Sequence, residues 1–320
     1  MKQLAVLVWI VVAAFGARAA EPEAYPSRPV RLIVPYSPGN ATDASARVLA
    51  AYLTKSFKQQ FFVDNRSGAS GQIGVSAVSR AVPDGYTLLV GTSATHAMNP
   101  HMFRSAVDTG KDFDPVILTV KVPLVVSTAP DFPARSLQDI LSEARKRPGG
   151  LSVAYAGTAN QLLYEYLKQR SGAPLVGVPY KGSPEALNDV IGGQVPVIVD
   201  GVTASRPQAA AGKIRPVAIT TLHSSELMPG LRTVAEQGFP GFELTAWNAI
   251  FAPKGTPRAV IEVLNARIAA ALADPAVRQQ LLNAGLAAEP GASPESLAEF
   301  LRVEHRKWGE LIKASGIPVQ

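Results

Sequence analysis

Along this chain, short runs rich in Val, Ile and Leu alternate with longer stretches whose apolar residues recur at helical spacing, an arrangement that predicts an α/β protein. Strands are predicted at 31–35, 61–65 and 87–91, with helices at 42–57 and 71–80 between them. Such a β-α-β-α-β unit builds a parallel sheet through right-handed crossovers. A second cycle places strands at 124–127, 151–156, 175–180, 195–199 and 217–220, with helices at 136–147, 160–170 and 183–191. Ser136 followed three residues later by Asp139 is an acidic variant of the capping box and marks the start of one of these helices. After a strand at 244–251 the chain turns helical, at 257–272, 275–284 and 294–314, with Gly285 and Gly316 as the expected stops. Two similar cycles and a returning tail predict two lobes: 21–123 with 246–320, and 124–245.

The N-terminus departs from this rhythm. Lys2 precedes an uncharged run over 4–15, and Ala17-Arg18-Ala19 supplies a small-x-small cleavage site, which is the pattern of an export signal over residues 1–20. The run holds twelve residues, whereas a membrane-spanning helix needs about 20. A soluble, periplasmic mature chain is therefore expected.

Composition removes several chemistries. There is no cysteine, so disulfide frameworks, thiolate catalysis and cysteine-ligated zinc or iron-sulfur centres are excluded. The formal charge of +6 falls to +4 once Lys2 and Arg18 leave with the signal. The densest basic group, 145–147, sits at a predicted helix end, where it complements the dipole. Scattered basic residues do not predict nucleic-acid binding; a mildly positive surface favours anionic small molecules or an anionic membrane face. His96 and His101 are five apart, off the spacing that puts two metal ligands on one helix face, and no metal is expected. Gly68, Gly71 and Gly74 follow a strand but lack the paired start that admits a pyrophosphate, and no cofactor is expected.

Three strand ends carry small, hydroxyl or amide side chains. The first is Pro35-Tyr-Ser-Pro-Gly-Asn-Ala-Thr-Asp43. Ligands of parallel sheets bind beyond the carboxyl ends of the strands, and the N–H groups and dipole of a helix start attract an anion there. Gly39 lets a ligand approach the backbone and Thr42 offers a hydroxyl. The same residues also fit an ordinary capped turn, with Asn40, Thr42 and Asp43 serving the helix start. The second strand end carries Thr92, Ser93, Thr95 and His96, and the third Thr158, Ala159 and Asn160. Loops of this kind in both lobes predict a cleft that grips a polar ligand from two sides. Asp43 and Asp200 are candidate bases, yet no spacing pairs either with a nucleophile; capping and loop hydrogen bonds are their expected roles.

A family resemblance runs over nearly the whole mature chain. Tyr25-Pro-Ser-Arg-Pro-Val-Arg-Leu-Ile-Val-Pro35 with Pro38-Gly39 and Ala41-Thr-Asp43 resembles the opening of tripartite tricarboxylate transporter receptors, the Bug family. Asn65-Arg66 with Gly68-Ala69 and Gly71, Ala81-Val-Pro-Asp-Gly-Tyr-Thr-Leu-Leu89, Val178-Pro-Tyr-Lys-Gly182, Gly192-Gly-Gln194, Leu231-Arg-Thr-Val-Ala-Glu236 and Phe251-Ala-Pro-Lys-Gly-Thr-Pro257 follow in family order. The resemblance implies a two-lobed periplasmic-binding-protein-like fold, each lobe a mostly parallel sheet flanked by helices, that closes on a small carboxylate without chemical turnover. It implies ligand contacts from Tyr36, Ser37, Gly39, Asn40, Ala41, Thr42, Asp43, Thr92, Ser93, Thr95 and His96 in one lobe, and from Thr158, Ala159, Asn160, Tyr180 and Asp200 in the other. The expected partner of this monomer is a set of membrane transporter subunits. The other readings are a carboxylate sensor for a membrane receptor and an exported hydrolase using His96 and Asp43. Two departures bear on specificity: Asn40 replaces the usual second glycine, and Gly-Thr-Ala-Asn-Gln161 replaces a glycine-rich, histidine-bearing loop, with Leu162 or Leu163 in the histidine's place.

Overall fold

A computed structural model describes residues 25–103 and 107–315. The predicted export signal and Gly316 lie outside the described residues. The first unit forms as its pattern predicts: β1 (Val30–Val34), α1 (Ala41–Phe57), β2 (Phe61–Asn65), α2 (Gln72–Ser79) and β3 (Thr87–Thr92). β1 lies between β2 and β3 and pairs with both in parallel. Past β3 comes a π-helical turn, Ala94–Met98, then the short α3 (Asn99–Met102).

The next strand is where sequence and structure differ most. The predicted four-residue strand at 124–127 is the end of β4 (Phe113–Thr128), a single 16-residue strand. Pro115 and Pro123 disguise it, since proline donates no ladder hydrogen bond and reads as a break. Both sit where the ladder is irregular. The register shifts between Pro115 and Ile117, and at Pro123 the pairing passes from one neighbour to another.

The second unit holds α4 (Leu137–Arg145), β5 (Leu151–Ala156), α5 (Thr158–Ser171), β6 (Leu175–Tyr180), α6 (Ser183–Ile191), β7 (Val197–Gly201), α7 (Val202–Ala210) and β8 (Arg215–Ile219). The Ser136 hydroxyl accepts the Asp139 N–H at 3.1 Å, so α4 starts where its capping signal lies. α7 carries Pro207 in its interior and shows little apolar periodicity, which is why its pattern gives no helix. β9 (Thr245–Pro253), α8 (Arg258–Ala273), α9 (Pro275–Asn283), β10 (Ala287–Ala288) and α10 (Pro294–Ser315) complete the chain.

The strands run in the order β2-β1-β3-β9-β4-β7-β5-β6, with β8 and β10 also paired to β4. Each lobe has three parallel strands, and β4 and β9 run antiparallel to their neighbours. β4 serves both lobes. Its residues from Phe113 to Pro123 pair with β9, and those from Leu124 to Thr128 pair with β7. α10 covers the junction, its last turn joined to α5 by the Gln169 side chain, which donates to the Ala314 carbonyl. Beneath it, the buried Glu304 carboxylate accepts the indole N–H of Trp247 at 2.8 Å and of Trp308 at 2.7 Å, so two fully buried tryptophans satisfy their only donors on one acceptor. Among the described residues no helix is long and apolar enough to cross a membrane.

Candidate functional site

Register places the site. Thr92, at the carboxyl end of β3, pairs with Asn248, which pairs with Val120 of β4. Asp200, near the carboxyl end of β7, pairs with Val125 of the same strand. The two sets of strand ends therefore face one another across residues 120–125 of β4. Five strand residues span about 17 Å, the width of a cleft for a small molecule.

In the first lobe, the 35–43 loop is held by Asn40 and Asp43. Asn40 caps α1, its Oδ1 accepting the Asp43 N–H at 3.0 Å while its Nδ2 donates to the Ser37 carbonyl. Its φ of −87° needs no glycine; the positive φ of the turn falls on Gly39, at +89°. The Asp43 carboxylate accepts from Gly39 N, Arg47 Nε and Asn65 Nδ2 at 2.9–3.0 Å. Burial pushes this carboxyl up, but those three donors outweigh it and hold it below the usual range. Thr42 is buried and turns its hydroxyl to Asn248 Oδ1. What the loop leaves open is backbone. Asn40 serves Asp43 N and Ala44 N, and the N–H groups of Ala41 and Thr42 have no partner among the described residues.

The 92–96 loop braces its neighbour. Tyr36 Oη meets Thr92 Oγ1 at 2.9 Å, and the Thr92 N–H donates to Thr95 Oγ1. Thr92, Ser93, Thr95 and His96 are all buried. His96 lies beneath the strand ends, its ring stacked on Phe251 at 4.0 Å and its Nδ1 2.8 Å from Thr95 Oγ1. Burial lowers its pKa to about 3. Asp43 and His96 thus have separate partners, and the Thr95 hydroxyl beside His96 is inaccessible to substrate, so these residues do not assemble a hydrolytic site. Gly74 packs closely: a Cβ there would stand 2.8 Å from Pro35 Cα. Gly71, whose Cβ would likewise meet Pro35 and Tyr36, packs with Gly74 against the first loop. Ala69 and Ser70 hold positive φ, and Asn99 Nδ2 donates to the Ser70 carbonyl.

In the second lobe, α5, α6 and α7 start from Gly157, Gly182 and Gly201, and none has a side-chain cap. α4, whose start lies at the opposite end of the sheet because β4 runs against β7, is capped by Ser136. Gln161 N donates to Gly157 O, while the N–H groups of Thr158, Ala159 and Asn160 have no partner among the described residues. Uncapped helix starts offer oriented donors and a positive dipole end. The buried Asp200 ties the loops together. Its Oδ1 accepts from Ser183 Oγ at 2.6 Å, Gly201 N at 2.8 Å and Asn160 Nδ2 at 3.3 Å, while Oδ2 has no partner among the described residues. Burial raises its pKa, only partly offset by those donors. Tyr180 gives its hydroxyl to Asp189 at 2.6 Å, and burial and that carboxylate push its pKa up to about 12.

Asn65, Asn248 and Ser183 are positioning residues that sequence reasoning passed over. Asn248 donates to Ser45, accepts from Thr42 and lends its carbonyl to Thr119, fastening α1 to β9. A lone Asn inside the apolar run of β9 was its available signal.

Residues 45–317 match the model of the tripartite tricarboxylate transporter family receptor. The chain belongs to that family. It is 35% identical to protein BugT of Bordetella pertussis over 321 residues, covering 99% of this chain and 98% of BugT. Among solved structures it is similar to an R. palustris protein with adipate, at 37% identity and TM-score 0.78, covering 92% and 99% of the two chains. It is also similar to MatC from Rhodopseudomonas palustris with bound malate, at 31% identity and TM-score 0.72, covering 90% and 100%. This receptor is therefore a solute-binding protein with the family's two-lobed α/β fold. The family match begins two residues past Asp43, beyond the first loop.

Proposed function

We propose that this receptor captures a small dicarboxylate in the periplasm and presents it to the membrane subunits of a tripartite transporter. The observation that carries this reading is the pair of unpartnered amide sets: Ala41 and Thr42 on one side, Thr158, Ala159 and Asn160 on the other. Each set suits one carboxylate, and two facing sets suit a ligand with an anionic group at each end. Adipate and malate, bound in the two solved relatives, are of this class. The lobes meet between Pro123 and Leu124 of β4 and just before Thr245 of β9, and a hinge there brings the two sets together on the ligand. Side chains of Asn40, Asp43 and Asp200 shape the loops, and the ligand reads mostly backbone.

Calorimetry of the purified mature chain against adipate and hexanoate tests this directly. Matched chain lengths isolate the second carboxylate, and adipate is expected to bind with one-to-one stoichiometry and at least tenfold more tightly. Equal affinity for the two would remove the second carboxylate from the account. Absence of binding by every carboxylate at millimolar concentration would refute the function itself.

A further inference from the structure

β4 and β9 carry the chain between the lobes, and their two faces differ. Trp247 of β9 turns its indole N–H to Glu304, so that face belongs to α10. Its register partner Lys121 lies on the same side, with Nζ 5.8 Å from the centre of the Phe300 ring of α10. Asn248 points the other way, to Thr42 and Ser45 of α1. Ala246, two residues before Asn248, shares that second face, and so does Val122, its register partner on β4. Both are half-buried. Register also fixes their place along the junction. Val122 lies two residues beyond Val120, which pairs with Asn248, and three short of Val125, which pairs with Asp200.

Val122 and Ala246 thus stand midway between the start of α1 and Asp200, and neither has a polar atom in its side chain. The polar side chains around them are committed elsewhere. Asn248 is buried, with both ends of its amide engaged by Thr42 and Ser45. Lys121 faces Glu243 at 3.4 Å on the α10 side, and Ser183 gives its hydroxyl to Asp200.

We infer that Val122 and Ala246 form the floor of the cleft and select a dicarboxylate whose middle carbons are bare methylenes over one that carries a hydroxyl or an amine there. This rests on the dicarboxylate reading, which puts one anionic end at each amide set and leaves the middle of the ligand over these two residues. A methylene gains by leaving water for an apolar side chain. A hydroxyl held in the same place gives up its water partners and meets no side-chain partner in exchange. Apolar pockets reject an added hydroxyl by up to about 100-fold, and a floor that is apolar on one side is expected to give at least tenfold.

Calorimetry of the mature chain against adipate and 3-hydroxyadipate, which match in length and charge, reads this preference. Adipate is expected to bind at least tenfold more tightly. The double variant Val122→Thr with Ala246→Ser adds hydroxyls to the floor at nearly constant volume and is expected to cut the ratio of the two affinities at least threefold; Ala246→Ser alone, the milder change, moves it in the same direction. A purely structural role would weaken both ligands alike and leave the ratio where it was, and thermal melts establish that each variant is folded. Adipate binding no tighter than 3-hydroxyadipate, or a ratio that the folded variants do not move, would overturn the inference while the dicarboxylate reading stands. Failure of that reading has a separate mark, hexanoate binding as tightly as adipate, and would overturn the inference with it.

Discussion

At the scale of single residues, Asp43 is the clearest case of a side chain that holds a loop in shape. Its two oxygens collect Gly39, Arg47 and Asn65, so the turn, the helix and the end of β2 converge on one charge. Asp43→Asn turns an N–H₂ group toward donors, and leaving them unmatched is expected to cost about 1–3 kcal/mol at pH 7. The pH dependence has a definite sign. The folded-state pKa is depressed, so the stabilisation is complete above the unfolded value of about 3.9 and is lost as pH falls through the folded pKa. Urea melts at pH 7 and pH 3 should show the variant's deficit shrinking in acid; a deficit independent of pH would mean that the charge is not what holds the loop. The structural role of Asp43 was legible in the sequence, because an acidic residue at the third position of a helix start is a capping signal. The fate of Thr42 was not. Its hydroxyl turns inward to Asn248, more than two hundred residues away along the chain, and no local pattern records such a partner.

Among elements, the contrast lies in how helices start. α4 begins on a serine that satisfies its own N-terminal donors; α5, α6 and α7 begin on glycines that do not. Gly157 has φ +84° and needs glycine, but Gly182 has φ −163° and ψ 162°, an extended backbone open to any residue. A Cβ at Gly182 would meet nothing closer than Pro184 Cδ at 3.6 Å. Gly182→Asp would therefore cap α6 and add a negative charge beside the cleft. The apo protein is expected to gain about 0.3 kcal/mol of stability while adipate affinity falls at least tenfold. Thermal melts and calorimetry read the two effects separately, and a stabilised variant with unchanged affinity would take the α6 start out of the site. The strand-to-helix loops were legible from sequence because parallel sheets place function there. The absence of caps was partly hidden: a glycine before a helix reads equally as a turn. The long β4 was missed because Pro115 and Pro123 hid the continuity that joins the lobes.

For the whole molecule, two parallel units share β4, and α10 bridges the junction with Trp247 and Trp308 gathered on Glu304. The two-lobed plan was visible as two similar α/β cycles, while the bridge was not, because its contacts join residues far apart in sequence. Binding as proposed requires the amides of both lobes to meet the same ligand. Titrating adipate into 15N-labelled protein and following backbone amide resonances tests it most directly. Shifts of Ala41 and Thr42 should grow together with those of Thr158, Ala159 and Asn160 and saturate at one equivalent. Shifts confined to one set, or absent from both while adipate binds, would contradict a ligand held between facing helix starts.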